Sequence, residues 1–238
     1  VSKAQAKELP RSILRFDVHQ RLQHGMMATS VILLALTGWP LAVHSVGASQ
    51  AISDFFGGVH GLGIAHRVGG VLLIAASLYH LAYLAVKAKQ GKGLPLSMIP
   101  TPQDGIQAAQ NVMYFLGLRK ERPHFGKFTY FEKFDYWAVF WGVMVMGLSG
   151  LVRWFPDATT TVLPAWAYEI AQFAHKDEAL LASLALFVWH FYNVHLRPGI
   201  FPMSKVFLNG RLTLAQLKHE HPAQYEELEA KGFEGVIE

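Results

Sequence analysis

The sequence predicts an all-α membrane protein: a bundle of four transmembrane helices with both termini cytoplasmic. Three observations predict it. Of the 238 residues, 52% are hydrophobic and only 16% charged, whereas soluble domains carry about 25% charged residues. Four apolar segments, at about 25–44, 62–86, 136–155 and 179–196, approach or reach the ~20 residues a spanning helix needs. With four spans, 18 of the 21 Lys and Arg fall in residues 1–24, 87–135 and 197–238. These three stretches then share one side, which the positive-inside rule makes cytoplasmic.

The elements follow in order. The opening VSKAQAKELPRSILRFD has no apolar run leading to a small-residue cleavage site and does not read as a secretory signal. GMMATSVILLALTGWPLAVH forms the first span, ending beside Pro40 at the interfacial His44. An outer loop holds FFGGVHGLGIAH, with His60 expected before the second helix starts. After the second span, GKGLPLSMIPTPQDG (91–105) is a Gly- and Pro-rich loop, and NVMYFLGLRKERPHFGKF is expected to form a short interfacial helix. YWAVFWGVMVMGLSGLVRWF is the third span and ALLASLALFVWHFYNVHL the fourth. The cytoplasmic tail, 197–238, contains RLTLAQLKHEHPAQYEELEAKGF, helical on both sides of Pro222 and too polar to insert. The whole chain, 1–238, reads as a single membrane domain.

Composition also narrows the chemistry. The chain has no Cys, which excludes disulfides, Cys-bound iron–sulfur clusters and covalent haem attachment through C-x-x-C-H. The net charge of +4 reflects topology, since the basic residues mark loops and termini. Nothing in it points to nucleic acid.

Twelve histidines in such a chain stand out, because an ionisable group inside a membrane is costly and is usually partnered or functional. His66 and His80 are fourteen residues apart on the second span, so they face within roughly 40° of each other and are separated by about 21 Å. His175 and His190 repeat the step on the fourth, fifteen residues apart, about 60° and ~22 Å. Two helices each offering two same-facing imidazoles at matching depths suit two haem b groups, each clamped between neutral histidines without covalent attachment. His195, five residues past His190, is turned about 140° away and is left for a propionate, a headgroup or a loop carbonyl. Arg67 and Arg153 are candidates for pairing with outer-haem propionates, or they snorkel to headgroups. Gly38, Gly69, Gly70, Gly142, Gly147 and Gly150 are where a macrocycle or a neighbouring helix can approach backbone.

Several motifs together resemble the di-haem cytochrome b subunits that anchor respiratory formate dehydrogenase, nickel–iron hydrogenase and thiosulfate reductase. RLQHGMMATSVILLALTG (21–38) is similar to their first span, in which a His precedes an apolar run ending in Ser/Thr-Gly. His24 and Thr37-Gly38 stand in that relation. GKFTYFEKFDYWAVFWGVMVMGLSGLVRWFP (126–156) resembles their third, and HFYNVH with NGRLTLAQLKHEHPAQYEELE their fourth-span exit and tail. The resemblance implies an outer haem on His66 and His175 and an inner haem on His24 and His190. Spacing on the second span instead names His80 as partner to His190, so the fourth ligand is His24 or His80. If His24 serves, His80 lines a quinone pocket or meets a propionate.

The resemblance further implies electron exchange across the bilayer between a quinone, ubiquinone or menaquinone, and an extracytoplasmic or peripheral partner subunit, an iron–sulfur protein or a c-type cytochrome. The setting would be a bacterial-type cytoplasmic (inner) membrane. The chain by itself would have no substrate-activating residues. Where the family has a quinone-contacting Asn after its Gly-Lys-aromatic motif, Gly126-Lys127-Phe128 is followed by Thr129. Thr129, Tyr130, Glu132 and Lys133 are the quinone-site candidates, against an ordinary charged helix flank. A haem-free His-based proton or ion transporter is the alternative. It would use acidic residues in the spans, and the four predicted spans hold none well inside them. An intramembrane zinc enzyme fits poorly, with no H-E-x-x-H and histidines spread over ~20 Å of depth rather than gathered on one tetrahedral centre.

Overall fold

Proline, glycine and capping residues set where the helices start and stop. A computed structural model of the protein describes residues 11–91 and 96–233. Residues 1–10 of the N-terminal stretch, 92–95 of the Gly/Pro loop and 234–238 of the tail lie outside the described residues. A short strand β1 (Ser12–Leu14) precedes α1 (Val18–Ala42), which ends two residues after Pro40 and leaves His44 beyond it. Helix α2 (Gly47–Phe55) is followed at once by α3 (Gly58–Lys89). The corner between them places Gly57 and Gly58 at φ 81° and 86°, a region closed to most side chains. His60 is therefore inside α3, not before it: the glycines make the corner and the helix starts directly after.

Helix α4 (Pro102–Phe115) opens on a capping box in which the Asp104 carboxylate accepts from the Thr101 N–H and hydroxyl, with Pro102 in the first turn. The helix thus begins inside the segment expected to be loop, and it stops before LRKERPHFGKF, where helix was expected. The Thr101–Asp104 cap and the fixed φ of Pro102 start it early. Helix α5 (Tyr130–Trp154) opens on a second box: Glu132 Oε2 accepts from the Thr129 N–H at 2.8 Å, and the Glu132 N–H donates to Thr129 Oγ1 at 3.2 Å. Helix α6 (Pro156–Val162) leads to α7 (Ala165–Leu184), which continues through wider i→i+5 turns over Ala185–His190 and Tyr192–Leu196. The tail holds α8 (Val206–Asn209), β2 (Arg211–Thr213), α9 (Leu214–Glu220) and α10 (Pro222–Ala230). The two helices around Pro222 agree with the sequence expectation. The strand pair was not anticipated.

Four helices are long and apolar enough to cross a membrane: Val18–Ala42, Gly58–Lys89, Tyr130–Trp154 and Ala165–Leu196. Each starts earlier than its apolar segment, because helix continues through polar flanks that hydropathy alone leaves out. The fourth therefore also contains Asp177 and Glu178, which the shorter predicted span excluded. Large apolar side chains stay exposed on every one of them; Ile32, Leu78, Leu148 and Leu181 are 59–62% exposed. Such faces are stable against lipid, where helices satisfy their own backbone hydrogen bonds.

The chain divides into two units. One comprises described residues 11–18, 96–137 and 205–233. Here β1 pairs antiparallel with β2, Ile13 opposite Leu212, and a small core of Ile13, Leu212 and Leu217 packs against Leu214, Tyr225 and Leu228. The other comprises residues 19–91 and 138–204 and holds most of the four spanning helices. Within it, Gly69 lets α1 approach α3: an added Cβ would lie 3.0 Å from the Leu34 side chain.

Candidate functional site

Four histidines on three helices of the second unit meet in two pairs. The rings of His66 (α3) and His175 (α7) have centroids 6.3 Å apart. Those of His24 (α1) and His190, on the wider turns after α7, are 6.5 Å apart. His24 precedes Thr37, which touches His66, by thirteen residues, so the pairs are about 20 Å apart along the helices. His80 joins neither pair: its Nδ1 lies 2.9 Å from Gln23 Oε1. The second-span spacing offered His80 as the partner of His190, but His24 is the residue whose ring lies beside it.

The pair at His66 and His175 is built twice over on one plan. Thr37 Oγ1 lies 2.9 Å from His66 Nδ1 and donates its own proton to the Leu33 carbonyl at 2.6 Å. Ser149 Oγ lies 2.9 Å from His175 Nδ1 and donates to the Val145 carbonyl at 2.6 Å. A hydroxyl has one proton. With that proton committed to backbone, each oxygen accepts from the histidine, which fixes the proton on Nδ1 and leaves the Nε2 lone pair available. Both hydroxyls are buried, Thr37 completely. The next residue in each case is glycine, and an added Cβ would come 3.1 Å from His66 Cε1 at Gly38 and 3.2 Å from His175 Cε1 at Gly150. The other candidate glycines differ: Gly142 faces a Glu178 carboxylate oxygen at 3.1 Å, while Gly70 and Gly147 face open space.

These residues fit a planar group ligated on both faces. Two metal–imidazole bonds of about 2 Å, plus roughly 1 Å from nitrogen to ring centre on each side, would place the two imidazoles about 6 Å apart. Both pairs have that separation. Fixing the tautomer through Nδ1 is how ligating histidines are oriented. Among the described residues no group of three His, Asp or Glu could hold a bare metal ion.

The Arg67 guanidinium lies over the Trp154 ring, 5.6 Å from its centre, an arrangement that suits a residue at the rim of the spans. Arg153 is within electrostatic reach of both His66 and His175. His195 stacks on Phe191 at 4.4 Å. Its expected 140° turn from His190 assumed α-helical geometry, which the wider turns over 192–196 replace.

The quinone-site candidates lie in the other unit and are engaged in structure. Thr129 is 2% exposed and bonds Glu132 as described. Glu132 Oε1 accepts from Arg15 at 3.0 Å, so both its oxygens are occupied. Lys133 pairs with Asp104 at 2.8 Å, the two side chains 11% and 13% exposed. Tyr130 accepts from Asn111 at 2.9 Å. Burial pushes the Asp104 pKa up, but the bonds from Lys133 and Thr101 outweigh it and hold the carboxyl below its usual value. Arg15 also reaches Gln224 Oε1 at 3.1 Å and His221 Nε2 at 3.5 Å, while His221 Nδ1 donates to the Gly126 carbonyl at 2.8 Å. Burial, reinforced by Arg15, keeps the His221 pKa below the ordinary range despite Glu132 and Glu220 nearby.

Sequence reasoning missed Ser149 and Gln23. The signal for Ser149 was present: Leu36-Thr37-Gly38 and Leu148-Ser149-Gly150 are one triplet repeated in the first and third spans. Gln23 carried none, since its role depends on which helix lies opposite.

No curated protein matches the chain. The sequence profile described as prokaryotic cytochrome b561 matches residues 15–200, a stretch that contains all four spanning helices and both histidine pairs. The chain belongs to the prokaryotic cytochrome b561 family of haem-binding, electron-transferring membrane proteins.

Proposed function

We propose that this chain is the di-haem b subunit of a membrane oxidoreductase complex, passing electrons across the bilayer between a quinone pool and an extracytoplasmic redox partner. His66 and His175 hold the outer haem, His24 and His190 the inner one. The partner is an iron–sulfur protein or c-type cytochrome that binds or oxidises the terminal donor. Both termini face the cytoplasm of a bacterial-type inner membrane, a reading that the distribution of Lys and Arg supports. The observation that carries the reading is the recurrence of one ring separation, 6.3 and 6.5 Å, at two depths of one helix bundle. Each haem would supply one-electron redox chemistry. The protein's own contribution is to fix the ring tautomers through Thr37 and Ser149, open space at Gly38 and Gly150, and exclude water from both hydroxyls.

The test is a dithionite-reduced minus oxidised spectrum of the purified protein with a pyridine haemochrome assay. About two haem b per chain are expected in wild type, one in His24→Ala and two in His80→Ala. Loss of one haem in His80→Ala alone would transfer the inner ligand to His80. A folded wild-type protein without haem would overturn the reading in favour of a transporter.

A further inference from the structure

A cavity of about 250 Å³ opens between the start of α1 and the end of α3, with His19, Tyr79, Ala82, Tyr83, Val86 and Lys87 in its lining. It is smaller than sites that engulf a drug-sized molecule, roughly 300–1,000 Å³, and suits a single ring. His19 Nδ1 lies 2.7 Å from the Tyr79 hydroxyl, hydrogen-bond distance. The Tyr79 and Tyr83 rings stand 6.2 and 5.9 Å from the His19 imidazole, giving aromatic walls. Ala82 and Val86 add an apolar side that is itself exposed.

The position in the bundle gives the cavity its meaning. His24 follows His19 by five residues, about 7.5 Å of helix. Gln23, on the same turn as His24, is 7% exposed, and its Nε2 donor has no hydrogen-bond partner. This end of α1 and α3 therefore combines a His19–Tyr79 hydrogen bond, flat aromatic surfaces and a buried donor next to the His24–His190 pair. The residues around Thr129, by contrast, have their polar atoms committed to capping and ion pairing.

We propose that the groove binds the ring of a quinone, with Tyr79 and His19 as hydrogen-bond partners of its oxygens. The proposal rests on the redox reading above and gives it a quinone site. The ring lies against the tyrosines, and an aliphatic tail leaves past Ala82 and Val86 into lipid. Reduction converts two C=O bonds to two C–OH bonds and consumes two electrons and two protons. A haem b held by His24 and His190 would supply the two electrons, one at a time. The His19–Tyr79 pair supplies the protons and is recharged from water at the exposed His19. Quinol oxidation runs the same steps in reverse.

The test uses the full-length, haem-loaded protein in nanodiscs with an azidobenzoquinone photoprobe, peptide mapping, and equilibrium binding of decylubiquinone. Labelling is expected on peptides containing residues 19–23 and 79–87. Tyr79→Phe and His19→Leu should each weaken decylubiquinone binding about tenfold, the scale of one lost hydrogen bond. Ala82→Trp, which fills the groove without touching the polar pair, should abolish labelling, and haem content reports folding in every variant. Labelling confined to residues 126–133, no labelling at all, or wild-type affinity in all three variants would overturn the site. If wild type carries no haem, the redox reading falls and this proposal falls with it; wild type that carries two haems but labels elsewhere loses only the site.

Discussion

His175 Nδ1 lies 2.9 Å from Ser149 Oγ, and that oxygen has already given its proton to the Val145 carbonyl 2.6 Å away. The ring can only donate, so its other nitrogen is held as a lone pair. The same relation joins His66 to Thr37. Two buried hydroxyls thus fix the tautomer and orientation of the paired histidines.

Removing one of them tests that role. Ser149→Ala frees the His175 ring to rotate and to exchange tautomers. Haem at the His66–His175 pair should bind about 10–100-fold more weakly, the usual cost of losing such a supporting partner. Haem retention during dilution, followed at the Soret band, reads this directly, with Ser149→Thr restoring binding.

Space is the second requirement. A Cβ at residue 150 would lie 3.2 Å from His175 Cε1, closer than the ring tolerates without shifting. Gly150→Val should lower the haem count from about two to about one per chain. Gly147→Val, where a Cβ meets nothing within 4 Å, should leave it at two.

The Lys133–Asp104 pair is largely shielded from water. Asp104→Ala leaves an ammonium without its partner and should cost about 2 kcal/mol, between the values for exposed and fully buried pairs. Thermal unfolding in detergent measures it. Adding Lys133→Met should recover most of the loss, because the stranded charge is then gone.

His221 ties the tail to the start of α5 through the Gly126 carbonyl and Arg15. Its folded-state pKa lies below the reference value of 6.5. The docked arrangement is therefore at full strength above about pH 6.5 and weakens as pH falls through the lower, folded value. Protonation would set an Nε2–H against the Arg15 guanidinium. Hydrogen-exchange protection factors over residues 211–233, corrected for the intrinsic pH dependence of exchange, should fall from pH 7 to pH 5 in wild type and lose that dependence in His221→Gln.

The four long apolar helices and the positions of the histidines along them were legible in the sequence, because burial in lipid demands runs of apolar residues and one helical repeat fixes height and azimuth. His66, His175 and His190 follow from that geometry. The fourth partner does not: His24 and His80 lie at one depth, and only the packing of α1 against α3 and α7 turned His24 toward His190 and gave His80 to Gln23. The charged flank at 129–133 was legible as composition, yet its bonding depended on the distant Arg15, Asp104 and Asn111. The sequence alone determined how many helices are long and apolar enough to cross a membrane and where along each helix its imidazoles lie, since those are properties of a single segment. The tertiary structure decided which imidazoles face each other, because azimuth between helices is set by contacts such as Gly69 on Leu34 that no single segment contains.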